Sequence, residues 1–231
     1  MVRSRANATS GAQQVGLVTV TVNGWDRDHA ALWNGTAASF VDLNPAGAEV
    51  SIANAVFGAQ QVGFAFVGNL NRAGMWNGSA ASWVDLNPAG AGASSAQGTS
   101  GTHQVGGARF GNVWHAGIWS GSAGSWEDLS IVLPGSWGNT AAYSIWSDGS
   151  FIVVAGFGRN NATARDEALL WTRPMNNCPG DFNHDGFVNG NDYDEFADAF
   201  DAADPAADLN ADGFVNGDDY DLFAEHFDAG C

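Results

Sequence analysis

The sequence predicts two folds in one chain. Residues 1–171 read as a mainly β repeat domain, propeller-like and of four blades if its ends close on each other; residues 178–231 read as a small all-α module of two loop–helix repeats, with a linker at 172–177. Three observations carry this reading. A tryptophan-centred phrase returns every 43 residues in the first part, and a twelve-residue acidic phrase occurs twice, 27 residues apart, in the last 54. Charge and tryptophan content change at the same boundary.

The repeat phrase is His29-Ala-Ala-Leu-Trp33, then Arg72-Ala-Gly-Met-Trp76 and His115-Ala-Gly-Ile-Trp119, with Glu167-Ala-Leu-Leu-Trp171 after 52 more residues. Other landmarks keep step: Ser39-Phe-Val-Asp-Leu-Asn-Pro45 returns as Ser82-Trp-Val-Asp-Leu-Asn-Pro88 and, shortened, as Ser125-Trp-Glu-Asp-Leu129. Gln13-Gln-Val-Gly16 returns at Gln60-Gln-Val-Gly63 and His103-Gln-Val-Gly106. A period of this length marks a repeat array or propeller. The apolar runs are short, rich in Val, Phe, Trp and Ile, and bounded by Gly, Asn, Ser and Pro, which makes each unit a meander of antiparallel strands.

The phrase His-Ala-x-x-Trp followed by Asp-Leu and then Gln-Gln-Val-Gly resembles the extracellular HAF repeats, over about Gln13 to Trp171. That resemblance implies a secreted β-repeat domain rather than a reaction. Residues 12–28 carry a Gln-Gln-Val-Gly strand without a Trp strand, and 167–171 carry a Trp strand alone. Pairing these ends closes the ring with three whole units and one shared unit, at the lower limit of propeller blade number. The competing account is truncation. Met1 to Ser10 has the basic start of an export signal without its apolar centre, so a signal and further blades are expected upstream.

The acidic phrase is Asp-Phe-Asn-His-Asp-Gly-Phe-Val-Asn-Gly-Asn-Asp at 181–192 and Asp-Leu-Asn-Ala-Asp-Gly-Phe-Val-Asn-Gly-Asp-Asp at 208–219. Oxygen-bearing side chains at loop positions 1, 3, 5 and 12, with Gly at position 6, suit Ca²⁺, a hard cation that takes six to eight oxygens. The expected ligands are Asp181, Asn183, Asp185, the Phe187 carbonyl, Asn189 and Asp192, then Asp208, Asn210, Asp212, the Phe214 carbonyl, Asn216 and Asp219. Two Ca²⁺ are therefore expected; the alternative is a pair of acidic turns that bind nothing. After each loop, apolar residues at helical spacing (Tyr193, Phe196, Ala197, Phe200; Tyr220, Phe223, Ala224, Phe227) predict a short helix with one apolar stripe. Cys178-Pro179 and Asp204-Pro205 leave no room for an entering helix.

A doubled loop–helix unit with Asp at position 12 resembles the dockerin family, over Cys178 to Cys231, in the variant that opens with Cys-Pro and ends with Gly-Cys. The resemblance implies an extracellular, calcium-folded docking module whose partner is a cohesin-like or other cell-surface protein. Positions 10 and 11, where that family places a Ser-Thr pair facing cohesin, are Gly190-Asn191 and Gly217-Asp218 here. The only two cysteines bracket the module. A Cys178–Cys231 bridge would restrict the unfolded chain by about 4 kcal/mol and imply an oxidising compartment; two free thiols, or an intermolecular link through the last residue, are the alternatives.

Residues 178–231 carry 15 acids and no Lys or Arg, a charge of −15, while residues 1–177 carry 10 acids against 8 Arg, a charge of −2, together the −17 of the chain. All 10 Trp precede the linker. Such acidity excludes nucleic acid as a natural partner, and no apolar run is long enough to span a membrane. No catalytic residue is assigned. Asp42, Asp85 and Asp128 share one repeat position, as a turn residue does, whereas the acids that break the repeat (Asp26, Asp28, Asp148, Asp166, Glu167) are not brought together by anything in the sequence. His29 and His115 read as hydrogen-bonding strand residues. Trp33, Trp76, Trp119, Phe40, Trp83 and Trp126 read as core, with sugar stacking as the alternative. The expected function is a secreted, non-enzymatic binding or display protein held by its module; the alternative is a polysaccharide-degrading or carbohydrate-binding component of a dockerin-organised assembly.

Overall fold

A computed structural model describes residues 3–147, 151–174, 178–183, 187–210 and 212–230. The chain divides into two compact units, the first comprising Met1–Ser147 and Ile152–Thr172, the second containing the C-terminal part from Arg173. The first unit is four antiparallel sheets, each built from consecutive strands. Sheet one is β1 (Arg3–Ser10), β2 (Gln13–Val22), β3 (Trp25–Asn34) and β4 (Val41–Asp42), and sheet two is β5 (Val50–Phe57), β6 (Gln60–Val67), β7 (Leu70–Trp76) and β8 (Val84–Asp85). Sheet three is β9 (Ala93–Thr99), β10 (Gln104–Phe110), β11 (Val113–Trp119) and β12 (Glu127–Asp128), and sheet four is β13 (Trp137–Ser147), β14 (Phe151–Asn160) and β15 (Arg165–Pro174).

The repeated words of the sequence each have a backbone reason. The Gly of Gln-Gln-Val-Gly lies opposite a register shift in the first strand of its sheet, between Ala6 and Ala8 and between Ala53 and Ala55, and Gly156 of sheet four, which lacks the phrase, faces the same shift between Ala142 and Ser144. There the neighbouring strand crowds it: a Cβ on Gly16, Gly63, Gly106 or Gly156 would stand 1.8–2.1 Å from the carbonyl oxygen of Arg5, Ile52, Ser95 or Ala141. Only glycine fits such a bulge. The Gln before Val holds the turn that ends the third strand, Asn-Gly in sheets one and two and Ser-Gly in sheet three. Gln14 Oε1 accepts the Gly35 N–H at 3.0 Å, Gln61 that of Gly78 at 2.8 Å and Gln104 that of Gly121 at 2.9 Å. The first Gln of the pair ties sheets together, since Gln13 Oε1 accepts from Gln61 Nε2 and Gln60 Oε1 from Gln104 Nε2, both at 3.0 Å.

Successive sheets pack face to face in chain order. Val15, Ala30, Leu32 and Leu43 of sheet one form a core with Ala53, Val56 and Trp76 of sheet two, and Val62, Ala73 and Leu86 of sheet two form the next with Ala96 and Trp119 of sheet three. One side-chain hydroxyl seals each seam. The Ala30 N–H donates to Ser51 Oγ at 2.9 Å, Ala73 N–H to Ser94 Oγ at 2.8 Å and Ala116 N–H to Thr140 Oγ1 at 2.7 Å. These hydroxyls are fully buried, so each bond removes a desolvation penalty as well as adding an attraction.

Two expectations are corrected here. The Gln-Gln-Val-Gly strand of residues 12–28 does not lack a Trp strand: β2 pairs with β3, Gln14 opposite Trp33, while Trp171 belongs to β15 beside β14. The four sheets are therefore four self-contained units, and no shared unit joins the two ends. The reason is local, because the Asn23-Gly24 turn, with both residues at positive φ, brings β2 onto β3 with almost no loop to close. Residues Arg3–Ser10 form strand β1. Strand β15 runs to Pro174, so the first three residues of the expected linker are strand.

The second unit contains α1 (Gly190–Asp201) and α2 (Gly217–Ala229), each opened by a reciprocal cap in which Asn189 or Asn216 pairs with Asp192 or Asp219. A single 3₁₀ turn, Pro205–Ala207, precedes the second loop. The apolar stripes meet with pseudo-twofold symmetry about the stacked rings of Phe196 and Phe223, 4.1 Å apart and 4° from parallel. Tyr193 to Phe227 and Tyr220 to Phe200 are both 6.1 Å. Cys178 is disulfide-bonded; Cys231, the only other cysteine, lies outside the described residues.

Candidate functional site

In the second acidic loop every expected ligand residue is described. Asp208 accepts the N–H groups of Asp212 at 3.1 Å and Gly213 at 2.9 Å, Asn210 Oδ1 accepts that of Asp212 at 2.9 Å, and Asp212 Oδ1 accepts that of Phe214 at 2.9 Å. Asn216 caps α2 through Oδ1 and donates from Nδ2 to the Phe214 carbonyl at 3.3 Å. Gly213 sits at φ +91°, which lets the chain reverse within the loop. Asp219 is fully buried. Its carboxylate accepts N–H bonds from Leu209 at 2.9 Å, Asn210 at 3.1 Å and Asn216 at 2.9 Å. The Asn216 bond first, with those of Asn210 and Leu209, holds this carboxyl below its usual range against the upward push of burial.

The first loop repeats the parts that are described. Asp192, also fully buried, accepts the Asn183 N–H at 3.1 Å and the Asn189 N–H at 2.9 Å. Asn189 donates to the Phe187 carbonyl at 3.1 Å. Asp181 is 3% exposed, and Asp185 lies outside the described residues.

The donor chemistry fits a hard divalent cation. The loop ligands are carboxylate, amide and carbonyl oxygens; a carboxylate offers about four lone-pair positions, and at Asp219 the backbone N–H groups of Leu209, Asn210 and Asn216 fill three of them. Among the described residues, no three His, Cys, Asp or Glu side chains are gathered closely enough to hold a metal by themselves, so asparagine and backbone oxygens must complete any coordination shell.

In the repeat unit, the shared Asp has two tasks. Its Oδ1 caps the following turn, accepting from Asn44, Asn87 or Ser130 N–H at 2.8 Å each. Its Oδ2 meets the residue that opens the Trp phrase: His29 Nδ1 at 2.8 Å, Arg72 Nη1 at 2.8 Å and His115 Nδ1 at 2.7 Å. The sequence reading identified these as strand and turn residues but not as partners. The repeat-breaking acids are hydrogen-bonded too. Asp28 accepts from Thr19 and Arg3, Asp26 from Thr21, Asp166 from Arg159, and Glu167 from Asn160 and Thr163. The Thr163 bond, then that of Asn160, lowers the Glu167 pKa. Asp26 and Asp28 share one face of β3, a proximity the sequence reading did not find, and Asp148 lies outside the described residues.

A groove of about 280 Å³ opens where sheets three and four meet, with Trp114, Tyr143 and Phe157 beside Ser95, Gln97 and Asn139. Tyr143 and Phe157 stack, with centroids 5.9 Å apart and planes 13° from parallel. Tyr143 is 53% exposed. It occupies the bulge position held by Asn7, Asn54 and Gln97 in the other sheets, and that break in the repeat is the signal by which the sequence could have revealed it. By contrast Trp76 and Trp119 are core, at 1% and 0% exposed.

No family model matches the sequence, and no curated protein matches it. Among solved structures the chain is similar to TolB from Acinetobacter baumannii, with a TM-score of 0.43 and 14% sequence identity, over 73% of this chain and 42% of that one. It thus spans about two fifths of the length of that protein. Among the described residues, no helix is long and apolar enough to cross a membrane.

Proposed function

We propose that this chain is an exported, non-enzymatic binding or display protein whose four sheets are consecutive propeller-like blades and whose dockerin-like C-terminal unit folds around two Ca²⁺ ions to dock on a cell-surface protein. The single observation that supports this best is the second loop. Asp208, Asn210, Asp212, Asn216 and Asp219 are drawn into one loop by their own backbone amides, with glycine at the reversal and a buried carboxylate at the end. A buried charge of this kind is retained where hydrogen bonds and a cation can compensate it. The disulfide-bonded Cys178 supports an oxidising, extracytoplasmic setting.

The test is calorimetric titration of the full chain with Ca²⁺. Binding near two ions per chain, lost stepwise in Asp208→Ala and Asp181→Ala, supports the reading. No heat of binding, together with far-UV spectra unchanged by chelator, rejects it.

A second reading is favoured by the aromatic groove. Three rings flanked by amide and hydroxyl groups are the surface that stacks on and hydrogen-bonds a sugar, so the repeat unit serves as a carbohydrate-binding component. A glycan array separates the two readings: retention that disappears in Tyr143→Ala assigns the groove to a saccharide, and no retention leaves the display role.

A further inference from the structure

Each of the three seams between sheets joins an outgoing face to an incoming one by a single rule. The outgoing face presents a second-strand valine (Val15, Val62, Val105), a third-strand alanine (Ala30, Ala73, Ala116) and, two residues on, Leu32, Met75 or Ile118. All three valines and all three alanines are fully buried. The incoming face presents a first-strand hydroxyl (Ser51, Ser94, Thr140) and alanine (Ala53, Ala96, Ala142), again all fully buried. The alanine N–H of the first face donates to the hydroxyl of the second.

The same positions exist once more at each end of the stack. Sheet four offers an outgoing face of Ala155, Ala168 and Leu170, and sheet one an incoming face of Ser4 and Ala6. All five are exposed, Leu170 to 67%, whereas Leu32 and Ile118 in the same repeat position are each 2% exposed. Sheet four adds Trp146 at 57%, directly across from Val153. Large apolar side chains arranged as in a buried seam mark an interaction surface.

We propose that the outgoing face of sheet four docks on the incoming face of sheet one in a second copy of this chain, head to tail. The Ala168 N–H then donates to Ser4 Oγ, and Leu170 enters the place that Leu32 and Ile118 occupy in the internal seams. The occupant follows from complementarity: the partner must carry the hydroxyl–alanine face, and this chain carries it in β1. Head-to-tail contacts of this type close into rings or run on as filaments. The smallest closed form is a dimer of eight sheets, within the range of propeller blade numbers. The inference rests on the stacked sheets alone and not on what the C-terminal loops bind.

The test is sedimentation of the full chain across a wide concentration range, run both in Ca²⁺ and in chelator. Self-association is expected in both. Leu170→Glu, a change at an exposed position, is expected to weaken it about tenfold or more while leaving far-UV spectra and thermal unfolding unchanged. Mixing Ser4→Cys chains with Ala168→Cys chains is expected to give a disulfide-linked pair that neither variant forms alone. A wild-type chain that stays monomeric overturns the proposal, as does association that survives Leu170→Glu. Association that vanishes with chelator also overturns it, because that would assign the contact to the calcium unit.

Discussion

Gly74 and Trp83 provide the sharpest test of the packing argument. A Cβ on Gly74 would stand 2.0 Å from Trp83 Cη2 and 2.4 Å from Cζ2 and Cζ3, so Gly74→Ala forces the indole to move. The indole has little room, being packed against Trp76 with centroids 4.6 Å apart, and Trp76 is 1% exposed in the core between sheets one and two. Such overpacking costs about 1–3 kcal/mol. The opposing gain from stiffening the unfolded chain is only about 0.4–1 kcal/mol, so destabilisation wins. Sheet three repeats the pair, with Gly117 2.1 Å from Trp126 on the same construction, whereas sheet one has Ala31 with the smaller ring of Phe40. Trp83→Phe alone should cost about 1–2 kcal/mol through lost contact, and the double variant, which recreates the sheet-one pair, should be more stable than the sum of the singles by about 1 kcal/mol or more. Urea unfolding of the repeat unit followed by far-UV circular dichroism measures all four corners of the cycle without relying on the altered fluorophore. Additive effects, or a neutral Gly74→Ala, would refute the reasoning.

Other expectations follow from single contacts. Ser94→Ala leaves the buried Ala73 N–H without its acceptor and should destabilise the repeat unit by about 1–3 kcal/mol in the same assay. Gly63→Ala meets a backbone carbonyl at 1.9 Å, and no side-chain change nearby should rescue it, unlike Gly74→Ala. Glu167 should titrate by NMR below the ordinary glutamate range, and Thr163→Ala should move it upward, because the Thr163 hydroxyl is the leading cause of the lowered pKa. The sign for stability follows. A depressed folded pKa stabilises above the unfolded pKa, and that contribution is lost as pH falls through the folded value. Asp208→Ala, read by calcium titration, tests the loops as described above.

Much of the fold was legible wherever a residue type had one physical task. The Trp phrases located the third strands, Gln-Gln-Val-Gly located second strands whose glycine faces the bulge of the first, and Tyr193, Phe196 and Phe200 located the stripe of α1. The first strand of each sheet was harder to find, because Val50–Phe57 and Ala93–Thr99 share little beyond a buried hydroxyl and an alanine. Sheet four was read only in part, since Val153-Val154-Ala155-Gly156 replaces the Gln-Gln-Val-Gly phrase and leaves just the glycine that the bulge demands. In the second acidic loop the positive φ of Gly213 was legible, because a glycine at the reversal is a local requirement.

The sequence by itself determined the repeat length, the antiparallel meanders, the two helices and the candidate oxygen ligands, since each depends on residues near one another in the chain. Only the tertiary structure decided that the Trp strand at the start pairs with its own neighbour and not with the one at the end, that Asp42 and His29 are partners, and that Ala168 and Leu170 stay exposed where their repeat counterparts are buried. Those outcomes depend on which faces meet, and an identical short phrase is core or surface according to whether another sheet lies against it.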